Sequence, residues 1–156
     1  MPRFSPVWWR AAAKEELFHF PLYRWIIRSI GAFPVRRGQR DFASMSRMVE
    51  ALKTDVLVAF PEGTWSTTGR LLPGRPGLGK VIYDAKPAKV IPVAVKETDE
   101  ILPRTSCIPR INRNVKIAYG PPMDLGSYYQ LPHGEETSRK VVDTVMAEIG
   151  RLHTSL

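Results

Sequence analysis

Apolar positions recur along the chain with two periods, and the two alternate. Pro6 to Ala12 is short and mostly apolar and reads as a strand. Leu22, Trp25, Ile26 and Ile30 then fall on one side of a helix over Pro21 to Ile30, with Pro21 in its first turn and Gly31 as its stop. Ala32 to Val35 is a short strand. Asp41 caps a second helix, in which Phe42, Met45, Met48, Val49 and Leu52 keep helical spacing. Val56 to Phe60 is a continuous apolar run, the mark of a strand buried on both faces. A long Gly/Pro-rich loop from Pro61 to Gly77 leads into a short helix, Leu78 to Ala85. Val90 to Val95 (VIPVAV) is a further buried strand. Val115 to Tyr119 is another, closed by Gly120-Pro121-Pro122. The C-terminal helix turns Val142, Val145, Met146, Ile149 and Leu152 inward. Strands alternating with helices predict an α/β fold, a single domain over residues 1–156 with a mostly parallel central sheet flanked by helices.

Composition changes this picture little, and charge changes it more. The chain has 156 residues, 44% hydrophobic and 24% charged, which suits one globular domain with a core of its own. No apolar run is long enough to span a bilayer, and the N-terminus has no apolar segment of the secretory type. Cys107 is the single cysteine, so no internal disulfide forms, which fits a reducing compartment. It is read as structural rather than nucleophilic. Net charge is +8, and residues 1–40 supply +6 of it through Arg3, Arg10, Lys14, Arg24, Arg28, Arg36, Arg37 and Arg40 against Glu15 and Glu16. Trp8, Trp9, Tyr23 and Trp25 share that stretch. Arginines mixed with indoles suit an anionic membrane surface. Nucleic acid is the rival partner for such charge, but the chain has no recognition motif for it. A solvated basic face without a partner is the plainer reading.

Candidate chemistry gathers where loops leave strands, because open α/β sheets place their sites beyond the C-terminal ends of strands. The adjacent arginines Arg36 and Arg37 follow one strand and can clamp a phosphate with paired donors. FPEGTWS, Phe60 to Ser66, follows another. Gly63 lets backbone approach a ligand closely. Thr64, Ser66 and nearby amides can donate to an anion. Glu62 is out of place beside an anion, and orienting a hydroxyl, an arginine or the turn's own amides suits it better. The alternative is a solvated arginine pair and a glutamate that only caps a turn.

Three blocks then carry a resemblance. FPEGTWS is similar to the FPEGTRS block of the glycerolipid acyltransferase family, which includes the 1-acylglycerol-3-phosphate acyltransferases. GAFPVRR, Gly31 to Arg37, resembles that family's block with a closing Arg, which falls on Arg37. VIPVAV resembles its later block with a proline, here Pro92, inside an apolar strand. Ala13 to Gly38 and Gly69 to Ala85 read like the family throughout, so the resemblance covers nearly the whole chain. It implies a glycerol-3-phosphate acyltransferase-like fold. It also implies transfer of a fatty acyl group from acyl-CoA or acyl carrier protein to the free hydroxyl of lysophosphatidic acid, in phospholipid biosynthesis. Arg37, Glu62, Gly63, Thr64 and Ser66 would bind the acceptor phosphate, with Arg36, Arg70 and Pro92 as auxiliaries. Partners would be the lysophospholipid acceptor, the acyl thioester donor and a membrane surface, not nucleic acid. The place would be cytoplasmic, peripheral at the inner face of the cell membrane. No metal and no organic cofactor is expected.

The sequence departs from the family at two points. The family's HxxxxD block, whose His takes the hydroxyl proton, is missing. His19 and His133 are followed five positions later by Arg24 and Ser138, and His153 lies too near the end. The catalytic residues are therefore unassigned, and truncation upstream of Met1 is the expected explanation. His19, between aromatics, is expected to pack or cap rather than replace the base. Losing a general base costs about 10²–10⁴-fold in rate, so weak or no activity is expected of this chain. A non-catalytic module that binds lysophospholipid or anionic membrane is the alternative. Trp65 stands where the family has Arg; Arg36, Arg70, Arg75 or Lys80 could compensate for the lost donor.

Overall fold

The computed structural model describes residues 9–19, 21–29, 31–35, 41–64, 66, 69–98 and 114–156. Its N-terminal part is a parallel sheet of three strands in the order β2–β1–β3. The central strand, β1 (Trp9–Lys14), is rich in alanine. A 3-10 turn over Glu15–Phe18 leads into α1 (Pro21–Ser29). Proline presets the backbone angle in the first turn of α1. Gly31 ends the turn after α1 with φ of 74°, and its amide bonds the Arg28 carbonyl at 3.0 Å. β2 (Ala32–Val35) then runs beside β1, with Ala11 opposite Ala32 and Lys14 opposite Val35.

The second unit repeats the crossover on the other side of β1. Asp41 caps α2 (Phe42–Ala51) as its residue type predicts. Its Oδ1 accepts the Ser44 amide at 3.0 Å, and its Oδ2 accepts the Ser44 hydroxyl. β3 (Val56–Val58) pairs with Trp9–Ala11, and Arg10 Nε meets Asp55 Oδ2 at 3.0 Å where the strand begins. The run Val56 to Phe60 was expected to be buried on both faces. It is an edge strand of three residues, with Val56 45% and Phe60 68% exposed. The alanine-rich β1 takes the central place instead, so the more apolar strand has only one neighbour among the described residues.

The C-terminal half holds most of the core. α3 (Pro76–Ala85) packs on the long α4 (Glu135–Ser155). Ile82, Ala94, Leu125, Val141, Val145, Ile149 and Leu152 form one buried cluster there. The two helices approach so closely at Gly79 that a Cβ on it would lie 1.9 Å from the Ser138 carbonyl oxygen. β4 (Val93–Lys96) and β5 (Lys116–Tyr119) form a separate antiparallel pair, Val95 opposite Ile117. The expected strand from Val90 is thus shorter. Val90 makes only an isolated bridge to Met123, and Pro92 interrupts the ladder because it has no N–H to donate. The fold is α/β with a parallel sheet and flanking helices, as the alternation predicts. Cys107, Trp8, Trp65, Ile30 and the arginine pair lie outside the described residues. Among the described residues no helix is long and apolar enough to cross a membrane, and no group of side chains could hold a metal ion.

Candidate functional site

All three strands of the parallel sheet point the same way, so β2 and β3 send their following loops to one rim. β1 lies between them. Two strand spacings, about 10 Å, therefore lie between β2 and β3 across the sheet. In register, β3 stops level with Ala32, three residues short of the end of β2. The chain then turns.

Residues 60–64 make that turn. The Gly63 amide bonds the Phe60 carbonyl at 3.0 Å, and Gly63 has φ of 62°, a left-handed conformation that favours glycine. The segment entering α3 binds the turn at three points. Glu62 Oε2 accepts the Leu72 amide at 2.7 Å. The Arg75 amide donates to the Pro61 carbonyl at 2.9 Å. Arg75 Nε donates to the Glu62 carbonyl at 3.1 Å. The stem of Arg75 lies against Gly63, where a Cβ would come within 2.7 Å of Arg75 Cδ. The result is a backbone bend at the sheet rim with a guanidinium laid across it. Its remaining donors suit an anionic oxygen.

The residues expected at the site divide into three groups. Glu62 and Gly63 are together in the bend, joined by Arg75, which the sequence offered only as a substitute cation. Thr64 and Arg70 are exposed nearby in the chain, and Ser66 is half-buried. Arg36 and Arg37 follow β2 in sequence and lie outside the described residues. Pro92 is fully buried, its carbonyl accepting the Gly120 amide at 2.9 Å. It can affect a ligand only by fixing the start of β4.

A histidine–carboxylate pair occurs elsewhere. His133 Nε2 lies 2.9 Å from Asp84 Oδ1 and 3.1 Å from Lys80 Nζ, and Lys80 Nζ also meets Asp84 Oδ2 at 2.6 Å. Burial alone would raise the Asp84 pKa, but the hydrogen bonds from Lys80 and His133 outweigh it and hold the carboxyl below its ordinary value. This pairing of residues 84 and 133 was not legible in sequence, since nothing local links them. Asp84 is nine residues along α3 from Arg75, or about 13 Å. That is too far for one glycerol phosphate held at the bend to reach. A hollow of about 400 Å³ between α2 and α3, lined by Phe42, Met45, Val49, Lys80 and Asp84 among others, includes none of the bend residues.

The parallel sheet thus carries a cation-bearing bend at its C-terminal rim, where open α/β sheets place their ligands. Residues 3–96 match the acyltransferase family, well over half of the chain, and the chain belongs to that family. No curated protein matches it. Among solved structures it is similar to the 1-acyl-sn-glycerophosphate (LPA) acyltransferase PlsC from Thermotoga maritima. The TM-score is 0.61 at 21% identity, and the alignment covers 97% of this chain and 68% of that one. The fold is therefore that of PlsC.

Proposed function

We propose that the chain serves acyl transfer to a phosphorylated glycerolipid, with the bend at 60–64 and Arg75 holding the acceptor phosphate. The reaction would join a fatty acyl group from acyl-CoA or acyl carrier protein to the free hydroxyl of 1-acyl-glycerol-3-phosphate, releasing the thiol. The observation that carries this reading is the Arg75 side chain, fixed against Gly63 and the Glu62 carbonyl at the sheet rim. Arg37, one residue beyond the arginine that follows β2, would supply the second cation. Thr64 and Ser66 would add hydroxyl donors. Glu62 would hold the bend rather than touch the phosphate, because its carboxylate already accepts the Leu72 amide. No HxxxxD spacing occurs in the sequence, so no general base is assigned.

Calorimetric titration with 1-acyl-glycerol-3-phosphate tests the acceptor site. Arg37→Ala and Arg75→Ala should each weaken binding about ten- to a hundredfold, the loss of one charge-assisted contact. Unchanged affinity in both variants overturns the reading. The absent HxxxxD spacing also supports a second reading, a module that binds lysophospholipid without turnover. Thioester consumption measured on the same protein separates the two: binding without acyl transfer favours the silent module.

A further inference from the structure

We propose that Arg139 of α4 is a positioning residue for the acceptor phosphate and acts through Arg75, an inference that rests on the acceptor site proposed at the bend. The peptide unit between Gly74 and Arg75 is held at both ends. Arg139 Nη1 donates to the Gly74 carbonyl at 2.9 Å. The Arg75 amide, on the same unit, donates to the Pro61 carbonyl at 2.9 Å. A peptide unit is planar, so anchors on its C=O and its N–H together fix its orientation. One anchor belongs to α4 and the other to the bend. Pro76 restricts the other side of Arg75, whose backbone is extended with φ of −86° and ψ of 132°. With its backbone set from both sides, Arg75 keeps freedom only in its side chain, and Arg75 Nε is bonded to the Glu62 carbonyl at 3.1 Å.

The side of α4 that carries Arg139 receives this unit. Arg139, Val142 and Met146 follow the i, i+3, i+7 spacing that lines up one side of a helix. Gly74 is buried against that side, and a Cβ on it would come 2.7 Å from Val142 Cγ2 and 2.8 Å from Met146 Cγ. The absence of a side chain lets the backbone approach closely enough for Arg139 to reach the carbonyl. A guanidinium bond to a carbonyl is charge-assisted and stronger than a neutral one. It also polarises the peptide, which strengthens the donation from the Arg75 amide to Pro61. Arg139 is itself exposed, and Val141, Val145, Ile149 and Leu152 form the buried cluster of α4 instead. Removing the guanidinium therefore loosens the Arg75 backbone with little loss of core.

Amide hydrogen exchange followed by NMR on the whole chain tests the positioning without ligand. Arg139→Met keeps an apolar stem and loses the donors. The Arg75 amide should exchange about tenfold faster in it, and Arg139→Lys should recover part of the protection. An unchanged Arg75 amide in Arg139→Met overturns the inference. Calorimetric titration with 1-acyl-glycerol-3-phosphate tests the consequence. Arg139→Met should weaken binding about three- to tenfold. Arg75→Ala combined with Arg139→Met should bind no more weakly than Arg75→Ala alone, because the effect passes through Arg75. The same loss in both backgrounds overturns the inference, since it would report a missing charge and not a displaced Arg75. Ile149→Val separates positioning from stability: it should lower the unfolding temperature and leave affinity unchanged. Affinity that falls with unfolding temperature in this variant as much as in Arg139→Met makes the role merely structural and also overturns the inference. Unchanged affinity in Arg75→Ala sinks the acceptor site itself, and the phosphate role of Arg139 with it. Weaker binding in Arg75→Ala beside an unchanged Arg139→Met sinks only the role of Arg139, so the two failures are distinguishable.

Discussion

Glu62 is the residue at which chemistry and architecture separate. A carboxylate next to a phosphate-binding bend would repel its ligand. Here it is directed at the chain itself, accepting the Leu72 amide at 2.7 Å across a loop of ten residues. Glutamine keeps an acceptor oxygen at that position, and alanine does not. Glu62→Ala should therefore destabilise the fold by about 1–2 kcal/mol, the cost of leaving a partly buried amide without its partner. Glu62→Gln should be nearly neutral, and acceptor binding should follow the same order. Thermal unfolding and calorimetry on the two variants check this. Equal loss of binding in both, with no change in stability, would mean that the carboxylate charge itself acts on the ligand. Arg75 is the complementary case. Its position against Gly63 was not evident from its place in GRPG, because the contact joins residues twelve apart.

The contact of α3 with α4 is set by a glycine at the level of elements. Any side chain at Gly79 meets the Ser138 carbonyl, which belongs to helix backbone and cannot move aside. Gly79→Ala should cost about 3 kcal/mol by overpacking, read from urea unfolding. A change below about 1 kcal/mol would show that the helices separate easily, against the general experience of packed cores. The outer end of α3 is held differently. Lys80, Asp84 and His133 form their cluster there, and the Tyr83 hydroxyl donates to the Leu131 carbonyl at 2.6 Å. Asp84 titrates below its ordinary value of 3.8, so the folded chain binds fewer protons at this group than the unfolded chain does. The stabilisation is complete above the unfolded value and is lost as pH falls through the lower folded one. Asp84→Asn should accordingly show a smaller drop in stability between pH 7 and about pH 3 than the parent. Parallel curves for the two proteins would remove Asp84 as a contributor.

For the whole molecule, the uneven core sets the dynamics. The buried cluster spans α3, β4 and α4, whereas Phe18 is the one buried large apolar side chain among the described residues of the N-terminal sheet and its crossovers. Local opening follows the density of buried contacts. Native-state hydrogen exchange should therefore find the slowest amides in α3 and α4, and faster exchange in β1, β2 and β3. Protection of β1 equal to that of α4 would contradict this division. The bend at 60–64 links the two parts, since its strand belongs to the sheet and its three tethers run to the segment entering α3. An acceptor bound there should slow exchange in β3.

Much of this was legible along the chain. The Asp41 cap, the stop at Gly31, the inward face of the C-terminal helix and the α/β alternation all depend on residues within a turn of each other, so local pattern suffices to place them. The family blocks were legible because they are short and contiguous. Other features depend on which segments meet. Nothing local made β1 central and left Val56 and Phe60 at an edge. Nothing local turned Trp25 outward, paired β4 with β5 in antiparallel register, or set Asp84 beside His133. The amino-acid sequence by itself determined the elements, the fold class and the family, because each is written in spacing and short motifs. Only the tertiary structure decided what each side chain touches, because burial and pairing are settled by competition among segments far apart in the chain.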